Sequence, residues 1–299
     1  MLKPKAYLGW NVDFTQPSGE PAFTRPDSVS WRVFKNPVAL AIGGICAVLL
    51  EFADPRIRSG VWDHSTFKTD PAGRSRRTGM AAMIGVYGPQ SAARRIIQGV
   101  THMHTRVRGE TPDGVPYRAL DPELLNWVSA TASYGFLTAY EQFVEPLSET
   151  DKNRFLQESW PVTRLYGVER PLTSLTEFHA LLEQLMPGFE PHPINEEFLT
   201  IMKSGRTASF VPRGLHSMVV HAAVSILPAS VRERLELGAE YTLTDRGARQ
   251  TRALGQWANR VPIPNSPPWE AALRLGLPRS FAWKTPAAQA EILLTKAPV

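Results

Sequence analysis

Two histidines stand two residues apart in the segment HMHTRVRG (102–109), within a stretch that predicts an amphipathic helix over residues 92–109. The apolar residues of that helix recur at spacings of three and four and form one stripe: Ile96, Ile97, Val100, Met103 and Val107. His104 follows Val100 by four residues and therefore belongs to the inward stripe. His102 lies about 200° around the helix from His104 and is predicted to face solvent.

The inward imidazole of His104 has two interpretations that its spacing alone does not separate. A histidine on an apolar helix face can be a core residue that satisfies its polar atoms with a hydrogen bond. The same placement is typical of an axial ligand to haem iron. Both interpretations predict that His104 is turned away from bulk water.

A cluster of cations precedes this helix in the segment GRSRRTG (73–79). Arg74, Arg77 and Thr78 stand at positions i, i+3 and i+4, so a helix would place them on one face. Guanidinium groups beside a hydroxyl group suit an anionic or polar ligand. The alternative is a solvated helix start, although cations in a first turn oppose the helix dipole.

Three further side chains are candidates for chemistry. Glu51 ends an apolar run, where a carboxylate is poorly placed unless it is paired, functional or exposed at the helix end. Asp63 and His64 follow in VWDHSTF (61–67), a segment interrupted by turn-forming residues. His64 is either a second site histidine or a turn residue.

The elements that must position these residues are predicted to be helices throughout. Apolar periodicity, capping residues and Pro or Gly stops predict helices over 37–51, 74–87, 90–108, 122–144, 148–160, 174–187, 193–203, 212–226, 228–236, 244–259 and 287–294. The Gly43–Gly44 pair permits close packing of the first of these helices. Residues 53–76 predict short helical turns and loops, and TPDGVPYRAL (111–120) predicts a short hairpin. The sequence therefore indicates an all-α, multi-helix single domain.

Composition limits the classes of protein and the compartment. Of the 299 residues, 43% are hydrophobic and 20% charged, which is typical of a globular chain. The net charge of +5 is dispersed and predicts no nucleic-acid partner. The single cysteine excludes a disulfide framework and a Cys-based metal site. The longest apolar run, residues 37–50, is shorter than the roughly 20 residues that span a bilayer, so we expect a cytoplasmic protein without stable membrane insertion.

We expect three regions: an irregular N-terminal arm over 1–30, a helical domain over 31–260 and a Pro-rich C-terminal tail over 261–299 that packs on the domain. The sequence carries no indication of the oligomeric state.

Three segments in order resemble one known family. LLEFADPRIRSGVWDHSTFKTDPAGRSRRT, then YGP…AARRIIQGVTHMHTRVRG, then DGVPYRALDPELLNWV are similar to the catalytic domain of latex clearing protein (rubber oxygenase) and the MpaB-type oxygenases. The resemblance covers roughly residues 37–260. Its most specific part is a late His-x-x-Val-x-Gly motif followed closely by Pro-Tyr-x-Ala-x-Asp-Pro.

The resemblance implies a globin-like helical core that binds haem b, with His104 as the proximal iron ligand and Arg74 and Thr78 near the haem. Arg77 stands where the rubber oxygenase has a lysine that caps the distal side of the iron. Because an arginine stays protonated, we do not expect it to ligate iron. Water, or His64 if its loop approaches, would then be the distal ligand.

The implied activity is an oxygenase that binds O2 opposite His104 and acts on a small, apolar, alkene-bearing substrate of isoprenoid or lipid type. Cleavage of a double bond to two carbonyls is the family's best-known reaction, and polyisoprene is not expected here because no export signal is evident. Glu51 is the first candidate and Asp63 the second for the carboxylate that takes an allylic proton.

Three alternatives remain open at this point. The chain is a non-catalytic haem protein if His64 also ligates the iron, or a haem-free helical protein that binds a lipid or a partner. A non-haem metal site from His64, His102, His104 and a carboxylate is the third, although histidines two apart diverge on a helix.

Overall fold

The computed structural model describes residues 6–7, 10–207 and 211–295. Helices dominate this part of the chain, which confirms the all-α, single-domain prediction. Residues 1–5, 8–9 and 296–299, which belong to the predicted arm and tail, lie outside the described residues. The division at residues 30 and 260 and the globin-like character of the core stay predictions.

Fifteen α-helices form within the described residues. They are α1 (Val29–Phe34), α2 (Pro37–Phe52), α3 (Pro55–His64), α4 (Pro71–Tyr87), α5 (Gln90–His104), α6 (Pro122–Phe143), α7 (Glu149–Glu158), α8 (Trp160–Leu165), α9 (Leu175–Leu185), α10 (Pro193–Lys203), α11 (Arg213–Ser225), α12 (Ala229–Arg234), α13 (Asp245–Arg260), α14 (Pro267–Arg274) and α15 (Pro286–Thr295).

The extended structure in the same residues is two short antiparallel pairs. Strands β1 (Ala6–Tyr7) and β2 (Trp10–Asn11) form one, and β3 (Arg108–Glu110) and β4 (Pro116–Arg118) form the other, with Gly109 opposite Tyr117. Single 3-10 turns follow α9, precede α13 and follow α14, at Met186–Gly188, Ala239–Tyr241 and Phe281–Trp283.

Helices α2 and α6 form the centre of the molecule, and their interface is the most extensive between any two elements. A Cβ atom on Gly43 would lie 2.7 Å from the carbonyl oxygen of Gly135, so the two backbones touch where these glycines cross. The predicted close packing at the Gly43–Gly44 pair is thus confirmed for Gly43. Helices α11 and α13 pack against the same pair.

Capping side chains set the ends of the helices that carry the candidate residues. Asn36 accepts hydrogen bonds from the backbone N–H groups of Val38 and Ala39 and begins α2, and Asp70 accepts one from Gly73 and begins α4. Asp121 begins α6 in the same way, with Pro122 at the first helical position as predicted. These caps fix where Glu51, Arg74 and Thr78 fall on their helices.

The end of α5 is a correction to the sequence prediction. The helix was expected to run to residue 108 but ends at His104, because the next residues pair with β4 instead of continuing the helical ladder. The predicted hairpin is present, although its first strand begins at Arg108, earlier than expected.

Four helices correct or add to the prediction for other segments. Residues 53–76 contain the ten-residue α3, which Asp54 caps and Pro55 begins and which is longer than the short helical turns expected there. Helix α14 lies in the Pro-rich tail and starts with two prolines, which are tolerated in a first turn. The short α1 gave no periodic pattern, and residues 160–165 form a separate helix, α8.

Candidate functional site

His104 is the last residue of α5 and is half-buried, whereas His102 is exposed, as the apolar stripe predicts. Ile96, Ile97 and Val100 are buried, but Met103 is 43% exposed, which corrects its assignment to the inward stripe. The stripe is therefore continuous up to Val100 and opens at the helix end. His104 stands at the edge of the core and not inside it.

The surroundings of His104 favour a neutral imidazole. Burial lowers its pKa, and the nearby positive charge of Arg74 lowers it further. Neutral imidazole is the form of histidine that has a free electron pair for a metal. The site therefore keeps His104 in a ligating state at neutral pH.

Arg74 and Thr78 lie one turn apart on α4 and contact each other. The guanidinium of Arg74 donates a hydrogen bond to the hydroxyl oxygen of Thr78, and that hydroxyl donates to the backbone carbonyl oxygen of Arg74, 3.1 Å away. The predicted shared face is thus present for this pair.

Glu51, near the end of α2, is the candidate carboxylate that the structure brings closest to this pair. Its Oε1 lies 3.3 Å from the hydroxyl oxygen of Thr131 on α6, whose single proton is shared between Glu51 and the carbonyl oxygen of Val128, 2.8 Å away. Burial raises the pKa of Glu51 to about 7, while the charge of Arg74 and the bond from Thr131 act in the opposite direction. The residue as a whole is half-buried, and its carboxyl group is desolvated.

Arg74 links these groups into one site, because its charge acts on both Glu51 and His104. Helices α2, α4 and α5 thus bring a carboxyl group, a guanidinium and an imidazole together from positions 51, 74 and 104 of the chain. Apolar side chains that are only half-buried lie within one helical turn of the polar ones: Val48, Ala81, Ala82 and Val128. The polar groups therefore border an apolar surface that is partly open.

Asp63 and His64 belong to a different group of side chains. His64 is exposed at the end of α3, and its Nε2 lies 3.1 Å from the hydroxyl oxygen of Tyr117 on β4. Asp63 is also exposed, and its negative charge raises the pKa of Tyr117 after the larger effect of burial. Neither residue has a described contact with Glu51, Arg74 or His104.

Arg77 is held by the loop before α4. Its guanidinium donates a hydrogen bond of 2.5 Å to the hydroxyl of Thr66 and lies 3.6 Å from a carboxylate oxygen of Asp70. The charge of Arg77 is therefore compensated at the start of the helix.

The residues of the site fit a haem group. His104 offers a neutral imidazole, Arg74 offers a cation of the kind that pairs with a propionate, and the bordering side chains are apolar and partly open. One turn before His104, the hydroxyl oxygen of Thr101 is buried and has no hydrogen-bond partner in the structure. This hydroxyl is therefore free to bond to a further group beside α5, as buried polar atoms usually have partners.

Other features of the described residues lie apart from this site. No three His, Cys, Asp or Glu side chains converge there as a metal-binding group. A cleft of about 640 Å³ lies between α9 and α12 and is lined by His179, Glu183 and Arg234 among others, far along the chain from the site residues. The cleft is open to solvent.

No single helix of the described residues is long and apolar enough to cross a membrane. Helices α2 and α3 reach the required length and composition only as a pair that bends by 112° at its break.

Comparison with known proteins identifies the class. Residues 31–260 match the family described as ER-bound oxygenase mpaB/B'/Rubber oxygenase, catalytic domain. The chain belongs to this family of oxygenase catalytic domains, which confirms the resemblance that the sequence motifs carry.

Curated relatives give no further functional information. Uncharacterized protein Rv2237 of Mycobacterium tuberculosis and Uncharacterized protein Mb2261 of Mycobacterium bovis are each 28% identical over 116 residues, which is 38% of this chain and 46% of theirs. The chain thus spans about half the length of these relatives. No solved structure matches the chain significantly.

Sequence reasoning did not identify Thr131, Thr101 or Tyr117. Thr131 and Tyr117 contact their partners across 80 and 53 residues of sequence, so only the packed fold relates them to Glu51 and His64. Thr101 could have been identified from the sequence, because it precedes His104 by one helical turn and so lies on the same face of α5.

Proposed function

We propose that this chain is a haem b-dependent oxygenase that acts on a small, apolar, alkene-bearing substrate of isoprenoid or lipid type. The observation that carries the proposal is the coupling of Arg74 to both Glu51 and His104 on three different helices. Membership of an oxygenase catalytic-domain family supports it. Its small-molecule partners would be this substrate and O2.

In this proposal His104 holds the iron, Arg74 lies beside the haem as a cationic contact, and Thr78 orients the Arg74 guanidinium through their hydrogen bond. When bound, haem would supply the redox chemistry with dioxygen. Arg77 would remain with Thr66 and Asp70 and would not approach the iron.

Glu51 is the residue we assign to proton transfer. A carboxyl group with a pKa of about 7 is divided between its two protonation states near neutral pH, which suits a group that accepts a proton and later releases it. The allylic proton of the substrate would move to a carboxylate oxygen of Glu51, while the bond from Thr131 limits the rotation of the carboxylate. Asp63, exposed beside Tyr117, is the weaker candidate for this role.

The half-buried apolar side chains near the site support an apolar substrate. Val48, Ala81, Ala82 and Val128 offer no hydrogen bonds from their side chains, and they border Glu51, Thr78 and Thr131 along their helices. A polar substrate would lose its hydration there without compensation.

The proposal is tested by titrating the purified protein with haem and recording the absorption spectrum. We expect a Soret band that His104→Ala abolishes or shifts, because the variant removes the iron ligand. His102→Ala is the matched control, since His102 is exposed on the same helix two residues away and is expected to leave the band unchanged. A folded wild type with no specific band, or equal effects of the two variants, contradicts the proposal.

Carbon monoxide binding to the reduced, haem-loaded protein then separates an oxygenase from a closed haem protein. We expect binding, because His64 is exposed and hydrogen-bonded to Tyr117. No carbon monoxide binding, restored by His64→Ala, would favour ligation by two histidines and a non-catalytic role. Dioxygen uptake that depends on an added short isoprenoid alkene would complete the test.

A further inference from the structure

The outer face of α13 has an unusual combination of side chains. Arg246, Arg249, Trp257 and Arg260 follow one another at spacings of three, eight and three, which places them on one side of the helix. The chain continues from this face through exposed Val261 and Ile263. We call these six residues the α13 surface.

The cations of the α13 surface have no ion pairs within the described residues. Arg246, Arg249 and Arg260 are all exposed, and none lies within ion-pair distance of a carboxylate there. The exposed Asp245 at the start of the helix is the acidic residue nearest to them in sequence. Three guanidinium groups therefore offer their positive charge to solvent.

The apolar residues of the α13 surface are largely exposed and are not packed into the core of the chain. Trp257 is 61% exposed, and Val261 and Ile263 are 37% and 38% exposed. A tryptophan is among the residues that gain most from leaving water. Exposed aromatic and aliphatic groups among cations indicate a surface that meets a partner with both an apolar and an anionic part.

The opposite face of α13 is firmly packed, so the exposure of this face does not reflect a loose helix. Thr251, Gly255 and Ala258 are buried. The side-chain amide of Asn36 donates a hydrogen bond of 2.8 Å to the carbonyl oxygen of Gly255, which ties α13 to the start of α2. The outer face is thus presented by a fixed element.

We infer that the α13 surface docks on an anionic lipid surface. Arginine side chains pair with lipid phosphate groups, tryptophan prefers the interface between headgroups and acyl chains, and the aliphatic pair Val261 and Ile263 fits the upper acyl region. A nucleic acid would use the arginines but would gain little from the two aliphatic side chains. The contact is peripheral, since it needs no helix that crosses the bilayer.

Vesicle co-sedimentation of the full chain tests this inference without any haem or activity measurement. Vesicles of phosphatidylcholine alone are compared with vesicles that also contain phosphatidylserine. Each basic residue near an anionic membrane contributes about fivefold to binding, so we expect Arg246→Gln, Arg249→Gln and Arg260→Gln together to weaken binding on the order of a hundredfold. Trp257→Gln is expected to weaken it about tenfold with no change of charge.

A charge-matched variant provides the control. Arg95→Gln, Arg170→Gln and Arg279→Gln together remove the same charge from exposed positions elsewhere and are expected to reduce binding far less. Equal losses in the two triple variants, an unchanged Trp257→Gln variant, or binding to duplex DNA but not to phosphatidylserine vesicles would each overturn the inference. Circular dichroism confirms that each variant is folded.

Discussion

At the scale of single residues, the charge of Arg74 reinforces the effect of burial on the pKa of His104 and opposes it at Glu51. For His104, burial and the charge of Arg74 both favour the neutral form and lower the pKa. For Glu51, burial favours the neutral form while Arg74 favours the charged form, and the balance leaves the pKa at about 7. One cation therefore keeps an imidazole unprotonated and a carboxyl group ready to exchange a proton.

The raised pKa of Glu51 predicts how stability depends on pH. Because the folded pKa of about 7 lies above the ordinary value of 4.5, stability is fully present below pH 4.5 and falls as the pH rises to about 7. Glu51→Gln removes this charge, so between pH 5 and pH 8 the wild type should lose about 2 to 3 kcal/mol of unfolding free energy relative to the variant. Urea unfolding at both pH values measures the difference.

Glu110→Gln, at an exposed position of β3, is the control for that measurement and should show no such divergence from the wild type. Parallel pH profiles for wild type and Glu51→Gln would mean that the carboxyl group of Glu51 is solvated in the folded protein.

At the scale of elements, the α2–α6 crossing holds two site residues at a fixed separation. Gly43 and Gly135 meet at the crossing, while Glu51 and Thr131 meet further along the same pair of helices. The indole nitrogen of Trp127 donates to the carbonyl oxygen of Leu50 at 3.2 Å and adds a third link. A shift at the glycine contact would therefore change the position of the Glu51 carboxyl group.

Gly43→Ala tests the crossing. Its Cβ would lie 2.7 Å from the carbonyl oxygen of Gly135, and backbone cannot move aside cheaply, so we expect a loss of about 2 to 3 kcal/mol in unfolding free energy. The adjacent Gly44→Ala meets its nearest atom, on Phe136, only at 4.0 Å and should be neutral or stabilising by up to about 1 kcal/mol. Similar effects of the two substitutions on chemical denaturation would contradict the close contact.

The elements also show where sequence reasoning succeeds. Helices with a capping residue and proline at the start, such as α2 and α6, were predicted within a residue or two, because those signals act locally. The predicted end of α5 is wrong, because the apolar spacing continues to Val107 whereas pairing with β4 ends the helix earlier. The sequence does not predict α14, because prolines in a first helical turn have the same composition as a Pro-rich tail.

The same distinction applies to the candidate site. The half-burial of His104 and the contact between Arg74 and Thr78 follow from spacing on one helix, so the sequence was sufficient to predict them. The bond from Thr131 to Glu51 and that between His64 and Tyr117 depend on how separate elements pack, and no local pattern encodes that packing. The spacing of His104 left open whether it is a core residue or an iron ligand. The order of the three motif segments along the chain carried the family resemblance.

At the scale of the whole molecule, Arg274 joins segments from both sides of the helical body. Its side chain is buried and donates hydrogen bonds to the backbone carbonyl oxygens of Phe14, Glu20 and Tyr87, at 2.7 to 2.8 Å. Burial lowers the pKa of this guanidinium to about 10, so it remains protonated at neutral pH. Lys35 makes a similar link, with its Nζ donating to the carbonyl oxygen of Ala282 at 2.9 Å.

Arg274→Met should destabilise the protein by about 3 kcal/mol or more, because it leaves three buried carbonyl groups without their donor. Arg279→Gln, exposed five residues later, should stay within about 0.5 kcal/mol of the wild type. Thermal unfolding of the two variants compares them directly. A small effect of Arg274→Met would mean that water replaces the guanidinium at all three carbonyls.

The position of Arg274 also has a consequence for the order of events during synthesis. The carbonyl groups of Phe14, Glu20 and Tyr87 are made early, yet their donor emerges from the ribosome only after more than 180 further residues. Until then the backbone around Phe14 and Glu20 lacks these hydrogen bonds, although Thr24 already donates to the carbonyl oxygen of Val86 and Ser91 donates to Glu20. A nascent chain halted before residue 274 should therefore be cleaved between residues 14 and 20 more readily than the finished chain, in which Arg274 holds that backbone.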